Sequence, residues 1–191
     1  RGLFKDTTVF DLGREEIGEL LVAAKADWTM VAPAIFGTLL EQALDKTERK
    51  KLGAHYTPRS YVQRLVDVTV MEPLRADWQT ALTRAQAAKD DGKTDDAVKQ
   101  VRAFHHRLCE TRVLDPACGT GNFLYVSLEM MKQLEGEVIQ ALDDLGDTQA
   151  RLIMQGETVD PHQFLGLELN VRAAAIAELV VWIGYLQWHY R

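Results

Sequence analysis

The sequence VLDPACGTGNFL, residues 113–124, places residue types that bind ligands at short, regular spacing. An apolar run ends at Asp115, and Gly119 and Gly121 follow, two residues apart, before a stretch typical of a helix. Glycines let a ligand approach the backbone closely, and the first turn of a helix offers unpaired N–H groups. A second carboxylate, Glu168, lies in the apolar run QFLGLEL. Because ligands of open α/β folds lie beyond the carboxyl ends of the strands, we expect Asp115 and Glu168 to face one crevice.

This arrangement fits either a dinucleotide or S-adenosylmethionine, and three details favour the second ligand. An acid in the turn would repel a pyrophosphate, but it would pair with the ammonium group of S-adenosylmethionine. The sequence GTGNF lacks the third glycine of the dinucleotide fingerprint. The later acid suits ribose hydroxyls, which both ligands carry. The spacing also departs from the dinucleotide pattern, because Glu168 follows Gly121 by 47 residues rather than about 20. The connection between them must therefore be extended.

Helices dominate the predicted elements of the first half of the chain. Apolar spacing predicts helices over residues 14–26 and 33–45, and a helical hairpin over 75–110 with the polar turn KDDGKT. Between them, Thr57 is predicted to cap a helix whose first position is Pro58. The buried face of that helix is predicted to contain Tyr61, Val62, Leu65, Val66 and Val70.

The second half is predicted to contain the strands that carry the two acids. RVLD predicts a short buried strand, and a long helix carrying Phe123, Leu124, Leu128 and Met131 is predicted from Asn122 onward. A polar loop over residues 146–160, the strand QFLGLEL and a helix over 171–188 follow. The order strand, helix, strand predicts a parallel βαβ unit in a helix-rich α/β fold. Two strands are too few for an independent parallel sheet, so we expect cover from the first half and further strands in a longer parent protein.

Composition restricts the class of protein. The net charge is −6, which is not typical of a free-standing DNA-binding module, so any contact with nucleic acid must be local or lie elsewhere. Two cysteines cannot form a disulfide framework, which favours a reducing cytoplasm. The most apolar segment is interrupted by Glu178 and is too short for a membrane span. We therefore expect a cytoplasmic protein that makes no contact with a membrane.

Three motifs resemble those of amino-type DNA methyltransferases. DPACGTGNFL resembles motif I, LGAHYTP resembles motif X placed before it, as in the γ arrangement of adenine-N6 enzymes, and FLGLELN resembles motif II. Residues 27–58 and ELVVWIGYLQWHY resemble fused restriction–modification enzymes of the type IIL/IIG kind. The resemblance implies a bacterial enzyme with a class I S-adenosylmethionine-dependent methyltransferase fold, Rossmann-like, of which this chain holds only the first strands. The implied domains are a helical N-terminal region, residues 1–52, and an incomplete methyltransferase domain, residues 53–191.

The same resemblance implies roles for individual residues. Thr57 and its neighbours would hold the methionine end of S-adenosylmethionine, and Asp115 would bind its amino group. Glu168 would bind the ribose hydroxyls, and Leu169 would flank the adenine ring. The complete implied cofactor-binding set is Tyr56, Thr57, Pro58, Asp115, Pro116, Ala117, Cys118, Gly119, Thr120, Gly121, Asn122, Phe123, Glu168, Leu169 and Asn170.

The resemblance identifies no residue in this sequence that would catalyse methyl transfer. The family accepts a methyl group at N6 of a flipped adenine in double-stranded DNA, using a [DNS]-P-P-[YFW] tetrapeptide. That tetrapeptide is absent from the 191 residues. The resemblance thus implies the cofactor-binding portion of a DNA methyltransferase, without catalytic residues of its own. Alternatives are a non-catalytic scaffold that self-associates through the edge of the RVLD strand, methylation of RNA or protein, and nucleotide binding of the Rossmann type.

Several other residues invite functional interpretations that we expect to be wrong. His105, His106 and Cys109 have metal-like spacing on one predicted helix, but with no fourth ligand in view we expect no metal. Cys118 is expected to be a packing residue. The basic run Lys46 to Lys51 is expected to be a solvated helix end. At helical spacing in an apolar helix, core positions are expected for Trp182, Tyr185 and Trp188.

Overall fold

The computed structural model describes residues 11–26, 35, 57–147 and 156–189. The chain divides into two compact units, Arg1–Val31 and Ala32–Arg191. Tyr56, the predicted helix over 33–45 apart from Ile35, and the run Lys46 to Lys51 lie outside the described residues. The boundary at residues 52 and 53 also lies outside them and stays a prediction.

Helix α1, Arg14–Lys25, belongs to the first unit and agrees with the prediction for residues 14–26. Glu16 accepts a hydrogen bond from the backbone N–H of Gly13, and acidic residues occupy the first turn, where the helix dipole favours negative charge. In that unit, α1 exposes its apolar side chains Ile17, Leu20 and Leu21.

The second unit is rich in helices. Helix α2, Arg59–Val66, continues through a π-helix, Asp67–Met71, into α3, Glu72–Asp90. Helices α4, Thr94–Glu110, and α5, Asn122–Asp144, flank strand β1, Val113–Asp115. A short 3-10 helix, Pro161–Gln163, precedes strand β2, Phe164–Gly166, and α6 covers Val171–His189. Within the described part of the chain, no helix combines the length and apolar character needed to span a membrane.

Strands β1 and β2 pair in parallel and form a two-stranded sheet within the described residues. The register places Val113 beside Phe164 and Asp115 beside Gly166. The predicted βαβ order is therefore confirmed. The prediction of a buried strand is wrong, because Leu114 is 58% exposed. Its side chain borders an open cavity, and no third described strand covers it.

The helical hairpin and α5 supply most of the core. Trp78 of α3 and Phe104 of α4 pack with ring centroids 5.0 Å apart, which confirms the hairpin predicted over 75–110. Helix α5 buries an apolar stripe that includes the predicted Leu124, Leu128 and Met131, while Phe123 is partly buried. The largest fully buried side chains of this core are Val62, Val101, Phe104, Leu108, Val126, Leu128, Met131, Leu134, Val138, Leu142, Val159 and Val180.

The predicted start of α2 is wrong by one residue. Pro58, not Thr57, is the N-cap, and no side chain caps this helix. Pro58 has the extended backbone of a cap, and its carbonyl accepts the first hydrogen bonds, from the N–H groups of Tyr61 and Val62. The side chain of Thr57 therefore precedes the position from which a cap reaches the helix N–H groups.

Two predicted core residues of α2 are also exposed, Tyr61 at 66% and Leu65 at 51%. The helix packs on α5 through Val62 and Val66, one turn apart, so that the adjacent Tyr61 and Leu65 face away from this contact. The predicted core position of Trp182 is wrong as well, since 38% of it is exposed. Helix α6 faces the core through alanines and valines, whereas Trp182 lies edge-on to the ring of His162.

Candidate cofactor site

The loop after β1 is held in shape by its own backbone and by Asp115. Asp115 is the last residue of β1, and its carboxylate accepts a hydrogen bond of 3.0 Å from the N–H of Ala117. The N–H of Gly121 donates to the carbonyl of Cys118 at 2.8 Å. Gly119 and Gly121 have φ angles of 53° and 81°, which side chains rarely allow. The turn therefore depends on both glycines.

The two glycines differ in what surrounds them. A Cβ on Gly121 would lie 2.9 Å from the Cα of Ala177, so this glycine allows α6 to pack against the start of α5. A Cβ on Gly119 would meet no atom within 4 Å. Gly119 consequently borders open space, where a ligand can approach the backbone.

Glu168 reaches the same loop from the segment after β2. One carboxylate oxygen accepts the N–H of Gly119 at 3.0 Å, and the other accepts the N–H of Asn170 at 2.8 Å. The backbones are also joined, because Leu167 donates to the carbonyl of Asp115 at 2.9 Å and accepts from the N–H of Cys118 at 3.0 Å. The structure thus brings Asp115, the glycine loop and Glu168 together, as the strand ends predicted.

Cys118 lies beneath this loop and is buried. Burial raises the pKa of its thiol, and the negative charges of Asp115 and Glu168 raise it further. A Cβ on Gly166 would lie 2.6 Å from the Cys118 sulfur, so the thiol fills the space above β2. The expected packing role of Cys118 agrees with these contacts, and both carboxylates contribute negative potential at one place.

The segment before α2 touches the loop through a backbone atom. The side-chain amide of Asn122 donates to the carbonyl of Thr57 at 3.2 Å. Arg59, two residues later, forms an ion pair with Glu129 of α5. Thr57 is therefore close to the start of α5, although Tyr56 lies outside the described residues.

The remaining predicted residues line the rim of the loop. Pro116 and Ala117 are exposed, and Thr120 is half-buried. Leu169 is fully exposed, which leaves an apolar surface beside Glu168. The side chain of Asn170 accepts the N–H of Arg172 at 3.0 Å, near the start of α6.

A cavity of about 490 Å³ extends from Asp115 along β1. Its walls are mainly apolar and come from α2, the π-helix, the start of α3, β1 and α5. The exposed side chains of Leu65, on α2, and Leu114, on β1, both line this cavity. A smaller cavity of about 160 Å³ lies between β2 and α6, beside Cys118 and Trp182.

Sequence reasoning missed two buried polar residues that hold β2 in place. The amide of Gln163 donates to the carbonyls of Leu108 and Thr111, at 2.9 and 2.7 Å, and so ties the start of β2 to the end of α4. Glu135, buried in α5, accepts the N–H of Val159 at 2.9 Å. The position of Glu135 within the otherwise apolar stripe of α5 was a signal available in the sequence, but the residues that it contacts on other elements are distant in sequence.

Glu135 also joins α5 to α4. Its carboxylate lies 3.2 Å from Nε2 of His105 on α4 and forms an ion pair of 2.5 Å with Lys132 of α5 itself. Burial by itself would raise the pKa of Glu135, but the hydrogen bond to His105 and the charge of Lys132 outweigh it and lower that pKa. The carboxylate is consequently held in its charged form between two helices.

Comparisons with known proteins match the part of the chain that contains this site. The sequence model of the family described as MmeI, DNA-methyltransferase domain, matches residues 90–191. DNA methyltransferase A of Bacillus subtilis (strain 168) is 27% identical over 170 residues, which cover 88% of this chain and 17% of the relative. A putative type II restriction enzyme and methyltransferase of Methanocaldococcus jannaschii is 25% identical over 169 residues, which cover 81% and 14%.

A solved structure gives the same result. The type IIL restriction-modification enzyme MmeI in complex with DNA superposes with a TM-score of 0.78 at 28% identity. The superposition covers 94% of this chain and 22% of the MmeI chain. The chain therefore spans about a fifth, or less, of the length of the proteins it matches.

Proposed function

Because the chain belongs to the family of the MmeI DNA-methyltransferase domain, we propose that the segments after β1 and β2 bind S-adenosylmethionine. The proposal rests on one observation: the Glu168 carboxylate bonds the N–H of Gly119, in the loop that Asp115 begins. An acid at the end of β1 and an acid from the segment after β2 thus converge on a turn whose backbone is open at Gly119. We also propose that this unit is the start of a class I methyltransferase fold.

The residues present fit the chemical groups of this cofactor. The negative potential of Asp115 and Glu168 suits a ligand that carries an ammonium and a sulfonium charge. The Glu168 oxygens each keep a lone pair beside their backbone donor, so they can accept hydrogen bonds from ribose hydroxyls. The exposed Leu169 offers an apolar contact for an adenine ring. When bound, S-adenosylmethionine supplies an activated methyl group.

Roles within the chain follow from these contacts. Asp115, oriented by the N–H of Ala117, would bind the amino group of the ligand, and the loop from Pro116 to Phe123 would line it. Thr57, whose carbonyl accepts a hydrogen bond from the side chain of Asn122, would hold the methionine end of the ligand. No residue of the chain is proposed to catalyse methyl transfer.

We propose that the longer protein methylates adenine at N6 in double-stranded DNA. Support comes from the DNA methyltransferase relatives and from MmeI, which was solved in complex with DNA. The restriction–modification relatives favour the same biological setting. Since the catalytic tetrapeptide is absent from the 191 residues, we expect the chain by itself to bind the cofactor weakly and to methylate nothing.

Calorimetry with S-adenosylhomocysteine tests the site. We expect Asp115→Ala and Glu168→Ala each to weaken binding at least about tenfold, which corresponds to about 1.4 kcal/mol. Asp95→Ala is the matched control, because Asp95 is an exposed acid at the far end of α4, about 22 Å along the helix from Glu110. Binding that survives both site variants unchanged would show that the assignment is wrong.

A second candidate is an assembly role through pairing with another copy of the chain. The observation that favours it is the exposed Leu114 on β1, whose second edge has no partner among the described strands. We expect dimers or larger species by light scattering, and Leu114→Lys to return them to monomers. A wild-type chain that stays monomeric at high concentration would contradict this role.

A further inference from the structure

A second cluster of ligand-type side chains lies between α4 and α5. His105 and Cys109 are one turn apart on α4, and the sulfur of Cys109 lies 3.5 Å from Nε2 of His105. Glu135 of α5 places Oε1 3.2 Å from the same nitrogen. The side chains of His105 and Glu135 are only 5% and 3% exposed.

Two of the three distances among these atoms are close to those between the ligands of one metal ion. Ligands at about 2.0–2.3 Å from a tetrahedral zinc lie about 3.3–3.8 Å from one another. The two measured distances, 3.2 and 3.5 Å, are close to this range, and all three ligand atoms lie within 4.8 Å of one another. A bound ion would therefore need only small side-chain movements.

His106, which the sequence placed in the same group, does not belong to this cluster. Its ring is exposed and contacts Glu157 and Glu110 instead. The third ligand type is thus supplied by Glu135, from another helix, rather than by the neighbouring histidine.

Negative charge exceeds positive charge around the Cys109 sulfur. Burial raises the pKa of the thiol, and the carboxylates of Glu135, Glu157 and Asp160 raise it further, against a smaller opposite effect of Lys132. These carboxylates oppose a free thiolate but favour a bound cation. The carboxylate of Glu135 is also held by Lys132 and by the N–H of Val159, the type of support that metal-binding carboxylates have.

We propose that Nε2 of His105, Sγ of Cys109 and Oε1 of Glu135 bind one Zn²⁺ ion, with water as the fourth ligand. Nitrogen, sulfur and carboxylate oxygen are the donors that zinc accepts. On binding, the S–H bond of Cys109 breaks, a sulfur–zinc bond forms, and the proton passes to the buffer. The His105 proton moves to Nδ1, and the hydrogen bond between His105 and Glu135 is replaced by two bonds to zinc. The ion would clamp α4 to α5 and to the segment that leads into β2.

Titration of the metal-free chain with Co²⁺, a spectroscopic substitute for zinc, tests the proposal without any cofactor. We expect a thiolate-to-cobalt charge-transfer band that saturates at one equivalent and disappears when one equivalent of Zn²⁺ is added. Absence of the band in the wild-type chain overturns the proposal.

Single-residue variants identify the side chains that give rise to the charge-transfer band. The chain has two cysteines, so Cys118→Ser leaves Cys109 as the single thiol, and the band must persist in this variant. His106→Gln is the matched histidine control and should also keep the band. Cys109→Ser should remove it, with the fold checked by circular dichroism, and Glu135→Gln should weaken Zn²⁺ binding at least tenfold in competition with a chelator. Loss of the band in Cys118→Ser, or its survival in Cys109→Ser, would place the metal elsewhere and contradict the site.

Discussion

The backbone N–H of Gly119 donates a 3.0 Å hydrogen bond to the carboxylate of Glu168, which lies 49 residues later in the chain. This bond connects the loop after β1 with the segment after β2 across the carboxyl ends of both strands. The parallel register sets its length, because Asp115 pairs with Gly166 and so brings Glu168 to the loop. The bond adds a charged acceptor to the two backbone hydrogen bonds that Leu167 forms with Asp115 and Cys118 across the same strand ends.

Replacement of Glu168 by alanine should release the N–H of Gly119. Hydrogen bonds to charged groups contribute about 1.5–3 kcal/mol, so amide exchange at Gly119 should become about 10- to 100-fold faster. Hydrogen exchange followed by NMR measures this directly, without a ligand. Glu137→Ala, in the exposed ion pair with Arg75, should leave the Gly119 rate unchanged. An unchanged rate in Glu168→Ala would mean that the bond does not form in solution.

Replacement of Gly121 by alanine should destabilise the fold strongly. The residue has a φ of 81°, and the new Cβ would lie 2.9 Å from the Cα of Ala177, a backbone atom that cannot move aside easily. The strain and the overlap together should lower the free energy of unfolding by about 2–5 kcal/mol in urea denaturation.

Gly136→Ala is the matched control, since Gly136 lies within α5 and a Cβ there meets no atom within 4 Å. This substitution should raise the free energy of unfolding by about 0.5–1 kcal/mol, because alanine favours helix. Equal effects of the two substitutions would contradict the close approach of α6 to Gly121.

Replacement of Gln163 by alanine should loosen β2. Its buried amide donates to the carbonyls of Leu108 and Thr111, and the loss leaves both acceptors without this donor. We expect a decrease of about 1–3 kcal/mol in the free energy of unfolding. Gln133→Ala, on the exposed face of α5, should change it by less than about 0.5 kcal/mol. A decrease no larger than that of the control would show that Gln163 does not hold the strand.

Glu135 should make stability depend on pH in the acid range. Its pKa in the folded chain lies below the ordinary value of 4.5, so the unfolded state binds protons more readily. The stabilisation is therefore present above about pH 4.5 and is lost as pH falls through the lower, folded pKa. Urea denaturation between pH 7 and pH 3 should show a steeper decline for the wild type than for Glu135→Gln. Parallel curves for the two proteins would contradict this prediction.

Patterns within short stretches of sequence predicted the helices and the glycine turn. Apolar periodicity predicted α1, the α3–α4 hairpin, α5 and α6, because each helix has apolar residues that recur every three or four positions. The glycines at 119 and 121 predicted a turn, since few other residues adopt a positive φ. The two acids could be placed at one edge because parallel strands share their carboxyl end.

Contacts between distant segments decided the rest. Whether Tyr61, Leu65 and Leu114 are buried depends on which elements cover them, and periodicity describes one helix or strand at a time. The N-cap of α2 is Pro58 rather than the predicted Thr57, because the helical backbone begins one residue later than predicted.

The sequence by itself determined where the chain would form helices, where it would turn, and which two acids would meet beside the glycine loop. Only the tertiary structure placed Glu135 beside His105 and Cys109, and Gln163 beneath the end of α4. The physical reason is that a buried polar group must find its partners in space, and the partners of Glu135 and Gln163 on other elements lie 24 to 55 residues away, beyond the reach of any local pattern (Glu135 to Val159, Leu108 to Gln163).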